Sequence, residues 1–215
     1  LIKDGSTSIL RLQGTTSVAN SEINQGTLRV QGNADALGGA GTTVTIGASG
    51  SENAILQYTG SNVTYTTKTA IVVGAGSSGT KTIQNAGANN ADNTAITLND
   101  NVTIDDSGSF TLGGVISGSD GLTKTNSGTT TLTGANTYSG NTTVSDGTLS
   151  LATGSTHSGT GAYSVEGGIL KVAAGVDLSA HAMTIGLGGV ISPGNSPGTA
   201  NVGSQTWNDG GTYLW

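Results

Sequence analysis

The strongest constraint in this chain is an eight-residue pattern, apolar-x-x-Gly-(Thr or Ile)-Leu-x-apolar, that returns three times. It reads INQGTLRV at 23–30, VSDGTLSL at 144–151 and VEGGILKV at 165–172. The last two copies begin 21 residues apart. Helical-pair repeats need about 33 to 45 residues, so a period this short fits a single coil of extended chain. Within each copy Leu28 and Val30, Leu149 and Leu151, and Leu170 and Val172 alternate with Arg29, Ser150 and Lys171. This period of two sends the apolar set to one face of a strand and the polar partners to the other. Gly26, Gly147 and Gly168 are expected at the turns that precede these strands.

The rest of the chain reads the same way. Segments such as 91–104 (ADNTAITLNDNVTI) and 107–117 (SGSFTLGGVIS) are rich in β-branched residues and interrupted by Gly, Asn and Asp every few positions. That pattern favours short strands and turns over helices. A longer correspondence joins KDGSTSILRLQGTTSVANSEINQGTLRV at 3–30 to KTNSGTTTLTGANTYSGNTTVSDGTLSL at 124–151, as two diverged copies of one unit. The expected architecture is all-β: a right-handed parallel β-helix, or β-solenoid, of roughly ten turns of about 21 residues. At about 4.8 Å per turn it forms a rod roughly 45 to 50 Å long. We read 1–215 as one continuous segment, with divergent turns over 1–120 and the clearest repeat unit over 121–215. Turn asparagines such as Asn33, Asn99 and Asn141 are expected to accept left-handed backbone or to stack in ladders.

Composition narrows the function classes. Hydrophobic residues are 33% and aromatics 4% of the chain, which suits a thin, layered core better than a globule packed around large rings. The net charge is −6 and the seven Lys and Arg are scattered, so no basic patch is expected to bind nucleic acid. Cysteine is absent, which removes disulfides and thiolate metal sites. No apolar run approaches the roughly 18 residues of a membrane-spanning helix. A chain that opens on Leu1 is expected to be a segment of a longer protein, with its export signals upstream.

Several motifs imitate chemistry and fail on context. IVVGAGSSG at 71–79 spells G-x-G-x-x-G after a strand-like run, but TKTIQNAGANNADN at 80–93 has no apolar helical face to present its N-terminus to a pyrophosphate. In the overlapping phosphate-loop spelling the lysine falls one position late, so Lys81 is expected to be a solvated, outward side chain. GNSPG at 194–198 places Ser196 in a G-x-S-x-G frame, yet Pro197 lacks the N–H that an oxyanion hole requires. GGAGTTVTI at 38–46 follows a calcium-binding nonapeptide except that Thr43 stands where a carboxylate is needed. His157 and His181 show no metal-ligand spacing and are expected at the surface or in turns. Asp105 and Asp106, adjacent on a strand, face opposite sides and do not form an acid and base pair. Trp207, Tyr213 and Trp215 gather near one end, where packing is the expected role. The expectation is no catalytic residue, no cofactor and no metal.

The segment GLTKTNSGTTTLTGANTYSGNTTVSDGTLSL at 121–151 resembles the autotransporter-associated β-strand repeat, also called the passenger-associated transport repeat. Lys124, the alternating threonines at 129–133, GANTYSG at 134–140 and GTLSL at 147–151 occur in its order. GNADALGGAGTTVTIG at 32–47, ISPGNSPGTANVG at 191–203 and GGTYLW at 210–215 are similar to segments of such passengers. The resemblance implies a non-enzymatic stalk of a bacterial surface protein, exported across the outer membrane through a C-terminal β-barrel and supporting display, export and adhesion. Its implied partners are neighbouring turns or modules of the same protein, with self-association end to end or laterally, and no host ligand can be named. The alternatives are a subunit of an extracellular filament or matrix and, less favoured, a β-helical polysaccharide lyase.

Overall fold

A computed structural model describes residues 1–215 apart from 6, 16–17, 34, 66–69, 195–198 and 215. Strand after strand alternates inward and outward side chains, as in Thr129–Leu132 and Lys81–Asn85. A strand two to six residues long buries too little to stand alone, so each lies parallel on a strand of a neighbouring turn. Among the described residues there are 28 strands and no helix, and no helix is long and apolar enough to cross a membrane.

The turns build a solenoid with three walls. The long wall has ten strands, from Ile9–Gln13 at one end through Val102–Asp106, Leu122–Thr125 and Thr142–Val144 to Gln205–Trp207 at the other. A second wall has eight strands, from Thr64–Tyr65 through Ser109–Leu112, Thr129–Leu132, Thr148–Leu151 and Ile169–Val172 to Thr212–Tyr213. The third wall holds six strands, from Ile2–Lys3 to Ile116–Gly118. Two short pairs follow: Ala135–Asn136 on Thr156–His157, and Asp177–Leu178 on Asn201–Val202.

The period is regular in one part of the chain and not in the other. Along the long wall Thr82 pairs with Thr103, Thr103 with Thr123, Thr123 with Thr143, Thr143 with Ser164 and Ser164 with Thr184. Each of these turns takes 20 or 21 residues, as the 21-residue repeat predicts. Earlier, Ile9 pairs with Thr27, Thr27 with Ile55 and Ile55 with Thr82, giving turns of 18, 28 and 27 residues. The two longer turns run into an aromatic cluster in the interior. Tyr58 lies with its ring centroid 4.5 Å from that of Tyr65 and 5.5 Å from that of Phe110, all three fully buried.

The interior is a set of ladders. On the long wall Leu28, Leu56, Ile83, Ile104, Lys124, Val144, Val165 and Ile185 succeed one another in register. Seven of the eight are aliphatic and fully buried, and they exclude water along the axis. The interior is not wholly aliphatic. Lys124 stands in the ladder itself, and Asn85, Asn90, Asp92 and Asp106 are buried beside it.

The two copies of the longer unit occupy different walls. In 3–30 the lysine-bearing strand belongs to the third wall and the strand Gly26–Gln31 to the long wall. In 124–151 the lysine-bearing strand belongs to the long wall and Thr148–Leu151 to the second. The unit is thus displaced by one wall between its copies. Any wall can host it because each is a parallel sheet with one inward face and a corner beyond.

Candidate functional site

The six residues named for the repeat core are all fully buried. Leu149 stacks on Leu170 and Leu151 on Val172 in the second wall. Leu28 and Val30 stack on Leu56 and Tyr58 in the long wall, so the structure does not bring them to the other four. Gly26 opens its strand at φ 77° and Gly147 precedes its strand at φ 63°, a left-handed backbone that suits glycine. Gly168 is not among the left-handed residues. A methyl group there would meet the carbonyl oxygen of Gly147 and a Val144 methyl at 2.8 Å, so close stacking is what its position requires.

Three buried lysines hold the corners between walls. Lys124 is wholly inaccessible and donates from Nζ to the carbonyls of Thr125 at 2.7 Å and Asn126 at 2.6 Å. Lys3 does the same at its corner, donating to Gly5 at 2.7 Å and Gln25 at 3.1 Å. Lys81, expected to be solvated, is buried. It donates to the Ser77 carbonyl and to Asp100 Oδ2, the latter at 2.5 Å. A turn leaves carbonyls without a strand partner, and an ammonium group inside the corner satisfies two at once. Burial pushes the Lys124 ammonium below its ordinary value, against the opposing fields of Asp106, Asp146 and Asp105. Burial raises the Asp100 carboxyl, but the bonds from Lys81 and the Asn101 amide outweigh it and hold that group below the usual range.

Asparagines tie successive turns at another corner. Asn53 Oδ1 accepts from the Thr80 amide at 3.0 Å, Asn101 from Gly121 at 2.9 Å and Asn141 from Ala162 at 3.0 Å. Asn141 therefore bridges two turns through a backbone amide, not by stacking on another asparagine. The left-handed asparagines are others, namely Asn62, Asn89 and Asn126.

Both histidines are buried, contrary to the sequence expectation, because the fold stacks their turns. His157 contacts Ser155 Oγ through Nε2 and the Tyr163 hydroxyl through Nδ1, each at 3.2 Å. His181 lies against the carbonyls of Gly161 at 2.7 Å and His157 at 2.9 Å. The Tyr163 and His181 rings meet edge to face at 5.3 Å. Between these rings and Tyr138 is a cavity of about 10 Å³, room for about one water molecule. Burial, and then the nearby His181, push His157 down to about 4, and burial pushes Tyr163 well up.

The remaining motifs are accounted for by the fold. Residues 71–79 run from the strand Ala70–Val73 into a turn and then the strand Lys81–Asn85, so no helix follows the glycines. Thr43 begins the strand Thr43–Ile46. Ser196 and Pro197, like Trp215, lie outside the described residues. Asp106 points inward, bonded to Asn85 at 2.9 Å and the Gly108 amide at 3.0 Å, while Asp105 faces out. Trp207 stacks above Ile185 and remains 42% exposed. Among the described residues no three His, Cys, Asp or Glu gather as metal ligands would.

Residues 122–151 match the family model described as the passenger-associated-transport repeat. In the structure this stretch is one complete turn, from Leu122–Thr125 through Ala135–Asn136, followed by two strands of the next turn, Thr142–Val144 and Thr148–Leu151. The chain thus carries a repeat of autotransporter passengers within a β-solenoid, which supports a passenger-type structural role. No curated protein and no solved structure matches the chain.

Parity was the signal that could have located the buried lysines. Lys124 shares its strand parity with Leu122, and Lys81 with Ile83, both inward positions. Polarity argued outward, and parity prevailed because the ammonium found carbonyls inside the corner.

Proposed function

We propose that this chain is a stiff segment of an exported bacterial surface protein, holding an adhesive or effector region away from the cell and aiding its own passage across the outer membrane. The observation that carries this reading is the position of the repeat matched at 122–151. It forms one complete turn and two strands of the next, and the neighbouring turns continue the same ladders. Each turn that folds outside the cell buries further aliphatic surface and opposes backward sliding.

The test uses the full-length protein. Residue 122 pairs with 142 one turn later, so deleting 122–141 removes a turn in register, whereas a Gly/Ser linker of equal length interrupts the stack. Surface exposure, read by protease accessibility on intact cells, is expected to survive the deletion and fall with the linker. Equal exposure of both variants would exclude a role for stacking in export.

A second reading is a filament subunit. Among the described residues the end strands of the long wall, Ile9–Gln13 and Gln205–Trp207, are each paired on one side, and Ile9 and Trp207 are 53% and 42% exposed. Head-to-tail stacking of copies extends the same wall without closing. Electron microscopy at rising concentration separates the two, with fibres favouring the filament and isolated rods the spacer. A lyase is the least supported alternative. Asp105 on the long wall and Glu166 just past its strand Tyr163–Val165 are three turns apart, roughly 14 Å at about 4.8 Å per turn, so they do not cluster as groups acting on one sugar unit would. Turnover of a polysaccharide, lost in Asp105→Asn or Glu166→Gln, would restore it.

A further inference from the structure

His181 has an unusual hydrogen-bonding position. Nδ1 lies 2.7 Å from the Gly161 carbonyl oxygen and Nε2 lies 2.9 Å from the His157 carbonyl oxygen. Carbonyl oxygens only accept, and a neutral imidazole has a single N–H, so the ring donates to both only when it carries both protons. Moving the single proton from one ring nitrogen to the other leaves this count unchanged. A neutral ring would set a nitrogen lone pair against a carbonyl lone pair at hydrogen-bond distance, in a residue that is 3% exposed. The two carbonyls belong to the preceding turn of the solenoid, and His181 lies between the strands Asp177–Leu178 and Met183–Ile185 of the next.

His157 has the opposite need. Its ring lies between the Ser155 and Tyr163 hydroxyls, which can either donate or accept, so a neutral ring is satisfied there. A proton added to it would place a second charge beside His181 in a buried pocket.

We propose that His157 and His181 form a pH-sensitive clasp, in which doubly protonated His181 fastens one turn to the turn before it and neutral His157 permits that charge. The surrounding groups fit. Tyr138 and Tyr163 face the pair, and burial holds both phenols above their ordinary range, so they stay neutral. Asn136, Thr142 and Ser155 contribute uncharged polar groups. Asp177 is the carboxylate that senses His181. Bonds from Ser179 first, with a lesser part from His181, hold it below the usual range.

The signs give two limbs. An unfolded histidine holds its second proton below about pH 6.5. His157 stays neutral in the fold down to about 4, so stability is present above 6.5 and falls as the pH drops from about 6.5 to 4. Both carbonyl contacts of His181 need a ring proton, so loss of either proton on the alkaline side breaks one of them and loosens the clasp. The clasp therefore loosens on both sides, and on each limb a one-proton difference changes the unfolding constant by up to about tenfold per pH unit.

The test is the urea unfolding of this chain across pH, with His181→Gln and His157→Gln, alongside nitrogen chemical shifts of the two rings in the unaltered protein. We expect His181→Gln to remove the alkaline limb and keep the acid one, and His157→Gln to do the reverse. Nitrogen shifts at pH 6 are expected to show two protons on His181 and one on His157, a readout that needs no variant to fold. A neutral His181 ring at pH 6, or limbs that neither substitution alters, would overturn the proposal.

Discussion

Replacing Lys124 by Met retains the stem within the aliphatic ladder between Ile104 and Val144 and removes only the ammonium. Two carbonyls, those of Thr125 and Asn126, then lose donors at 2.7 and 2.6 Å. An orphaned buried acceptor costs about 1 to 3 kcal/mol. The native protein already bears the cost of a desolvated ammonium, whose removal offsets part of that loss. The expected net effect for Lys124→Met is a loss of about 2 kcal/mol, while Lys124→Ala, which also leaves a cavity, loses about 3 to 5 kcal/mol. Urea unfolding followed by circular dichroism reads this as a midpoint lowered by roughly 1 M for Met at an m-value near 2 kcal/mol/M. Lys171→Met is the control. Lys171 is exposed in a neighbouring wall, and its loss is expected to stay within about 0.5 kcal/mol. A Lys124→Met midpoint equal to or above that of the unaltered chain would refute the corner-capping role of the ammonium.

Leu149→Ala truncates a fully buried ladder residue stacked on Leu170 and Thr130, and about 2 to 5 kcal/mol is the expected loss in the same assay. Gly159→Ala drives a methyl group into the Tyr138 carbonyl of the turn below, whereas Gly154 has nothing within 4 Å and only a left-handed φ of 86°. Gly154→Ala is expected to cost about 1 to 2 kcal/mol and Gly159→Ala clearly more, as read by their relative midpoints. Burial pushes Tyr65 up to about 12, with Tyr58 and Tyr163 also raised. Stability from these phenols is complete below about pH 10 and falls as the pH rises through their folded values. Tyrosinate absorbance is therefore expected to lag in the folded chain and to jump on alkaline unfolding.

Local order was legible from the residues alone. The alternation of Leu149 and Leu151 with Ser150, and the 21-residue return of that motif, specify strands with one inward face and a coil of that length. Parallel stacking follows, since such strands bury their apolar face and satisfy their backbone only against copies of themselves.

Tertiary structure decided whatever depends on which turn lies over which. No spacing along the chain relates His181 to Gly161 and His157, 20 and 24 residues away, because their contact is set by the pitch of the solenoid. The lengths of the early turns, and the contacts of Tyr58 with Tyr65 and Phe110, follow no repeat in the sequence. The burial of Lys3, Lys81 and Lys124 rests on carbonyls that only a folded corner presents. A period of two determines which face a side chain takes, but what it meets there is supplied by the neighbouring turn.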